Sequence, residues 1–256
     1  ELTIPARDGQ PVLERHALHV WPRGGFMLIA LPNTDGSFTA TLFLARHGDA
    51  SFASLPGAAA VEAFFGREFP DVVPFMPQLA AEFASHPQGR LGTVHAAPWH
   101  LGGQVLLLGD AAHAIVPFHG QGMNAAFEDC TVLDELLAGG AAWDEVFARF
   151  EASRRGNAEA IAQMALENYQ EMRDAVRDAG FVRRRGIAMA LERAFPGRFI
   201  PRYSMVMFHP EIPYAAALRR GGIQARILEE LDRGEGVEFD PAQAAALIAA
   251  HLPPLP

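Results

Sequence analysis

The sequence predicts a mixed α/β (α+β) chain, and three observations carry that expectation. Short runs rich in β-branched and aromatic residues, parted by turn residues, fill the first 45 positions. A short apolar run, "VLLL" at 105–108, leads through Gly109-Asp110 and a proline-containing loop into an amphipathic helical pattern. From about 143 to 195 the pattern is almost wholly helical. With 256 residues, 50% of them apolar, the chain can bury a sizeable core in one or two domains.

Taken in order, "HALHVWP", "FMLIALP" and "SFTATLFLA" read as strands split by "RGG" and "NTDG". The second and third form an expected hairpin with Asn33–Gly36 as its loop. Phe38, Ala40 and Leu42 alternate with Thr39, Thr41 and Phe43, so one face is mainly apolar and the other mixed. Residues 58–84 look helical, with interruptions at Pro70, Pro74 and Pro77. Val105–Leu108 does not alternate, as expected of a strand covered on both faces. A helix follows from about Met123 to Ala138, with Met123, Ala126, Phe127, Cys130, Leu133 and Leu137 on one stripe and Gly139-Gly140 as its stop. The helical run from Trp143 to Phe195 should break near Gly180 and Gly186 and end at Pro196-Gly197. "RFIPRYSMVMF" reads as a strand, and a helical tail closes in "PPLP".

Composition excludes several classes. A net charge of −9 leaves no basic stripe for phosphate neutralisation, and "RRR" at Arg183–Arg185 reads as a solvated helix face. One cysteine, Cys130, precludes an internal disulfide framework and fits a reducing compartment, with the cytoplasm expected. No apolar stretch approaches the roughly 20 residues of a membrane span. "ELTIPARDGQ" has neither the basic nor the apolar region of a signal peptide and reads like the interior of a longer sequence. The histidines form no metal-ligand spacing, and G-x-S-x-G is absent.

Four features carry candidate chemistry. Asp110, just past an expected strand, either caps the next turn or accepts a hydrogen bond from a sugar or polyol hydroxyl. "GQGMNA", Gly120–Ala125, matches G-x-G-x-x-A, but a dinucleotide fingerprint should follow its strand directly. The junction fits better as a helix mouth whose unpaired amides, at Met123 and Asn124, hold a delocalised anion that Gly122 lets approach. Asn168 shares a stripe with Ile161, Ala165, Met172 and Ala175 or Val176; it is either a satisfied core amide or a ligand contact. Tyr203 raises the same alternatives with its phenol, while His119 suits a pocket wall and His113 a structural role.

"VLLLGDAAHAIVPFHGQGMNAAFEDCTVLDELL" resembles the second FAD-binding motif of the aromatic-ring flavin monooxygenase family. "HVWPRGGFMLIALPN", "FEDC", "NYQEMRD" and "YSMVMFHPEIPY", in that order, resemble the kynurenine-hydroxylating branch, so the likeness spans roughly 1–215. That resemblance implies part of a Rossmann-like FAD-binding domain, a substrate-domain β-sheet and a C-terminal helical region. It implies FAD as cofactor, NADPH as reductant, and O2 and L-kynurenine as substrates, giving 3-hydroxykynurenine. It also implies that Asp110 binds the ribityl chain, with Gly122, Met123 and Asn124 at the isoalloxazine edge. Asn168 and Tyr203 match residues that hold the amino-acid end of the substrate, and Phe118, His119 and Gln121 would surround its ring and the flavin. His119 stands where some relatives carry Phe.

The family's opening G-x-G-x-x-G unit is missing from this sequence, which therefore reads as an N-terminally truncated piece. Expected divisions are 1–88 for the substrate sheet and helix, 89–155 for the returning half of the FAD domain, and 156–256 for the helical region. No side chain is assigned as a general base. Two alternatives stay open: a flavin hydroxylase for another aromatic acid, and a catalytically silent fragment that only associates with a partner. An NAD-binding reading of Gly120–Ala125 would need a strand ending immediately before Gly120.

Overall fold

The computed structural model describes residues 1–174, 178–234 and 236–255. The chain divides into two compact units, one of residues 1–90 with the described part of 170–177, the other of 91–169 with the described part of 178–256.

In the first unit, β1 (Leu2–Ile4), β2 (His19–Pro22), β3 (Met27–Pro32) and β4 (Phe38–Phe43) form an antiparallel sheet in the order β1-β4-β3-β2. The β3–β4 hairpin turns at Asn33–Gly36, where Asn33 and Ser37 pair and Gly36 takes φ +85°, as expected. Phe38, Ala40 and Leu42 point into the core while Thr39, Thr41 and Phe43 stay half-buried, which the alternation anticipates. Helices α1 (Ala58–Glu68) and α2 (Leu79–Ser85) are separated where Pro70, Pro74 and Pro77 deny the chain its helical amides. Phe26, Phe64, Phe65 and Phe69 pack ring against ring beneath the sheet. Each fully buried ring contributes about 1.5–3 kcal/mol relative to exposure. Gly24 and Gly25, in the β2–β3 turn, donate to the Arg173 carbonyl at 3.3 Å and to Asp174 Oδ1 at 2.9 Å.

The second unit opens with a small ribbon, β5 (His100–Leu101) against β6 (Val105–Leu106). Then follow α3 (Asp110–His113), a 3₁₀ turn at Pro117–His119, α4 (Gly122–Ala138) and α5 (Trp143–Arg173). After these come α6 (Ala179–Ala194), α7 (Arg202–Phe208), α8 (Tyr214–Leu231) and α9 (Pro241–His251). Ala125, Ile161, Met164, Met205 and Val206 form one core, and Ile187, Leu191, Phe199, Ile227, Leu231 and Ile248 form another. No described helix is long and apolar enough to cross a membrane.

Several expectations fail for identifiable reasons. "RFIPRYSMVMF" is not a strand: Pro201 ends the extended segment and starts α7, whose Met205 and Val206 are buried. Tyr203 is therefore helical. The buried stripe of α4 is rotated from the expected one. Met123, Phe127, Cys130 and Leu137 are exposed, whereas Ala125 and Asp129 are buried; a charged network turns Asp129 inward, and Val132, Leu133 and Leu136 pack against the Trp99 and Phe150 cluster further along the helix. Val105–Leu108 is only partly a strand, and Val105 is exposed rather than covered on both sides. Gly186 does not break α6; it lets Val237 approach, for a Cβ there would lie 2.5 Å from Val237 Cγ1. Arg183 and Arg184 are not simply solvated but pair with Asp232 at 2.7 and 3.4 Å, while Arg185 is exposed. Ala175 and Val176, placed on the Asn168 stripe by the pattern, lie outside the described residues.

Candidate functional site

The Gly109-Asp110 turn is built on backbone freedom. Gly109 takes φ +57° and ψ −142°, a conformation open almost only to glycine, and an added Cβ would meet the Ala126 side chain of α4 at 3.3 Å. Its amide donates to Asp129 Oδ2 at 3.0 Å. Asp110 opens α3, but the helix is capped by Gly109 with no side-chain bond. The exposed Asp110 carboxylate meets no partner among the described residues. Capping by the Asp110 side chain, the plainer of the two readings, is thus not what occurs.

Eleven or so residues on, the chain turns through the 3₁₀ segment and Gly120, which takes φ +68°, before α4 begins. No strand ends at Gly120, so the dinucleotide-fingerprint reading is corrected to a loop-to-helix junction. Gln121 is the N-cap residue, yet its side chain makes no capping bond to the first turn. It is buried instead, where its Oε1 accepts from Asn124 Nδ2 at 3.0 Å and from the Tyr214 hydroxyl at 3.1 Å. Burial, then the nearby Glu128 charge, pushes the Tyr214 phenol up, so it stays a donor. The mouth of α4 is left uncapped by any side chain, with Met123 and Asn124 exposed on it and Gly122 opening the helix without a side chain.

Around the 3₁₀ turn, Asn168 Nδ2 donates to the Phe118 carbonyl at 2.6 Å, which makes this part of the carboxamide a structural tie between α5 and the loop. The Phe118 ring lies 4.4 Å from that of Tyr169. His119 is buried and stacks on Tyr203 at 5.2 Å with planes 19° apart, while Tyr203 remains exposed. Burial holds His119 below its ordinary value, and the Arg202 charge adds to this. His119 Nδ1 meets no partner among the described residues. Phe118, His119, Gln121, Asn168 and Tyr203 are thereby linked through one set of contacts: Gln121 Nε2 also donates to Met207 Sδ of α7 at 3.1 Å.

Sequence reasoning missed Asp129 and Arg154. Asp129 is fully buried in α4; its Oδ2 takes His113 Nε2 at 2.6 Å as well as Gly109, and its Oδ1 takes Arg154 Nε at 2.7 Å. Burial alone would raise this carboxyl, but the bonds from His113, Arg154 and Gly109 outweigh it and hold the pKa below the usual range. Arg154, from α5, also bonds Glu128 at 2.8 Å and the Ala125 carbonyl at 3.1 Å. His113 is structural, as expected. The available signal was a carboxylate four residues after Ala125 on a helix whose inner face carries small side chains.

Residues 79–165 match the family model described as an FAD binding domain. A protein of Myxococcus xanthus named kynurenine 3-monooxygenase is 54% identical over 257 residues, which cover 99% of this chain and 55% of the relative. One of the same name from Stenotrophomonas maltophilia is 51% identical, covering 100% of this chain and 56% of the relative. Among solved structures, a variant of Klebsiella pneumoniae HpxO complexed with FAD aligns over 90% of this chain and 51% of that one, with 17% identity and a TM-score of 0.47. The chain spans about half the length of the curated relatives it matches. Along nearly its whole length the chain is similar to proteins named kynurenine 3-monooxygenase, and residues 79–165 match the FAD binding domain model.

Proposed function

We propose that the protein containing this chain is a flavin-dependent aromatic-ring monooxygenase that uses FAD, NADPH and O2 to convert L-kynurenine to 3-hydroxykynurenine. The observation that carries this is the uncapped helix mouth of α4 at Gly122–Asn124 together with the unpartnered Asp110 carboxylate, whose neighbour Gly109 is bonded to Asp129 of the same helix. These groups suit the ribityl and isoalloxazine parts of FAD. A carboxylate accepts from sugar-alcohol hydroxyls, and helix-mouth amides favour an anion by about 0.3–1 kcal/mol in exposed settings and up to about 2 when partly buried. The diphosphate is not assigned to residues of this chain.

When bound, FAD supplies the redox and oxygen-activating chemistry. The chain's own residues then orient and stabilise. Met123 and Asn124 amides meet charge at the pyrimidine edge of the flavin, and Asp110 fixes its stem. Asn168 and Tyr203 hold the amino-acid end of the substrate, with Tyr203 set by its stack on His119. Phe118 and His119 stand toward the aromatic ring, and Gln121, being buried, acts by holding Asn124. None of these side chains needs to take a proton. A cytoplasmic setting, with which a single cysteine is consistent, is part of the same proposal.

The test is made on the full-length protein. It should purify yellow, and L-kynurenine should speed NADPH oxidation and yield 3-hydroxykynurenine. Absence of bound flavin after FAD is supplied, or indifference of NADPH oxidation to kynurenine, overturns the reading. A stronger response to another aromatic acid would favour the alternative substrate.

A further inference from the structure

We infer that Asp129 is a positioning residue for the flavin-binding edge, acting through Gly109 and Asp110 without touching the cofactor. This rests on the functional reading above and adds to it a residue outside the contact set. The geometry is specific. One fully buried carboxylate on α4 receives the Gly109 amide, the His113 ring and the Arg154 guanidinium at 3.0, 2.6 and 2.7 Å. Gly109 and His113 lie at the two ends of the α3 turn, so two bonds to the same oxygen clamp that turn against α4. Asp110 is the residue between the clamped Gly109 amide and the rest of α3, and it carries the exposed carboxylate.

The clamp therefore relates the two elements that the cofactor must meet at once. Asp129 sits on the same helix as the amides of Met123 and Asn124, and rigid helical geometry fixes its place relative to them. Its bond to Gly109 carries that fixed frame across to Asp110. Arg154 supplies the opposing charge from α5, and its further bond to the Ala125 carbonyl reaches the first turn of α4. A buried carboxylate is costly without such partners. Position 109 is also built for glycine, since its φ is +57° and a Cβ there would lie 3.3 Å from that of Ala126. Supporting bonds of this kind around a bound group shift affinity by about 10–100-fold in comparable metal sites.

The experiment is a double-mutant cycle on the full-length protein: Asp129→Asn, Asp110→Ala and both together. FAD affinity is read by flavin fluorescence titration of the apoprotein, with the visible flavin spectrum recorded alongside. Asp129→Asn keeps the shape but replaces an acceptor by a donor, so at least one of its three bonds must be lost. It should weaken FAD roughly 10-fold or more and shift the spectrum in the wild-type background. In the Asp110→Ala background the same change should cost far less, because Asp110 is the group it places. A loss of equal size in both backgrounds, or no loss in the wild-type background, overturns the inference. If Asp129→Asn does not fold, His113→Gln removes one arm of the clamp and must give the same non-additive pattern on a smaller scale; additivity there also overturns it. Should Asp110→Ala leave FAD affinity untouched, the role given to Asp110 falls and this inference with it, while measurable FAD binding leaves the flavin reading standing. Weakening by Asp110→Ala alone removes only the role of Asp129.

Discussion

His119 combines two burdens at one position. Its ring is buried against Tyr203, and Nδ1 has no partner among the described residues. Burial holds its pKa below the ordinary 6.5. The native protein then binds a proton less readily than the unfolded chain, so the full stability is present above about pH 6.5 and is lost as pH falls through the lowered value. His119→Phe removes both the titration and the unpartnered nitrogen while keeping a ring to stack. We expect a gain of about 1 kcal/mol near pH 6 and a flatter stability curve below it. Urea unfolding midpoints between about pH 7.5 and 5 measure this; an unchanged slope in the variant would sink the account. The place of His119 beside the helix mouth was legible, because it sits between Pro117 and the glycines. Its stacking partner was not, because Tyr203 had been assigned to a strand whose faces would send the phenol elsewhere.

At the scale of elements, α7 decides where Tyr203 stands, and α7 depends on a glycine of α8. A Cβ on Gly221 would lie 2.5, 2.9 and 3.0 Å from Cδ, Cγ and Cβ of Arg202, the first residue of α7. The far carbons of Arg202 can swing away, but its Cβ moves only with the backbone. Gly221→Ala gains up to about 1 kcal/mol of helix propensity and loses about 1–3 kcal/mol to overpacking, so a net destabilisation is expected. The lost fit should also disturb the His119–Tyr203 stack. A lowered thermal midpoint would bear this out; a midpoint at or above that of the parent would refute it. The same element marks the limit of pattern reading. "YSMVMF" is β-prone in composition, yet a proline just ahead and a helix alongside make it helical. The hairpin at Asn33–Gly36 and the start of α4 needed only local signals and were legible. The inner face of α4 was not, since Asp129 goes inward only because Gly109, His113 and Arg154, 20, 16 and 25 residues away, meet it there.

For the molecule as a whole, a net charge of −9 arises from 30 acidic residues set against 21 Lys and Arg. Backbone-driven parts of the site, the glycines and the helix mouth, were readable from spacing, whereas ion pairs between distant helices were not. Asp232 is such a case. Bonds from Arg183 first, then the Gly234 amide, lower its pKa from 3.8 to about 2. The unfolded chain therefore takes up this proton at a higher pH than the native one does. Its contribution is complete above about pH 4 and disappears as pH falls toward about 2. Arg183 and Arg184 anchor on it from α6, so its loss loosens the α6–α8 junction. Asp232→Asn should make stability less steep in pH between about 4 and 2 while leaving the slope above pH 5 as in the parent. Denaturant midpoints across that range, read by far-UV circular dichroism, provide the check. Because both pairs are partly exposed, added salt should shrink the difference between variant and parent, and a difference that persisted undiminished at about 1 M salt, where screening acts within about 3 Å, would place the acid sensitivity in another group.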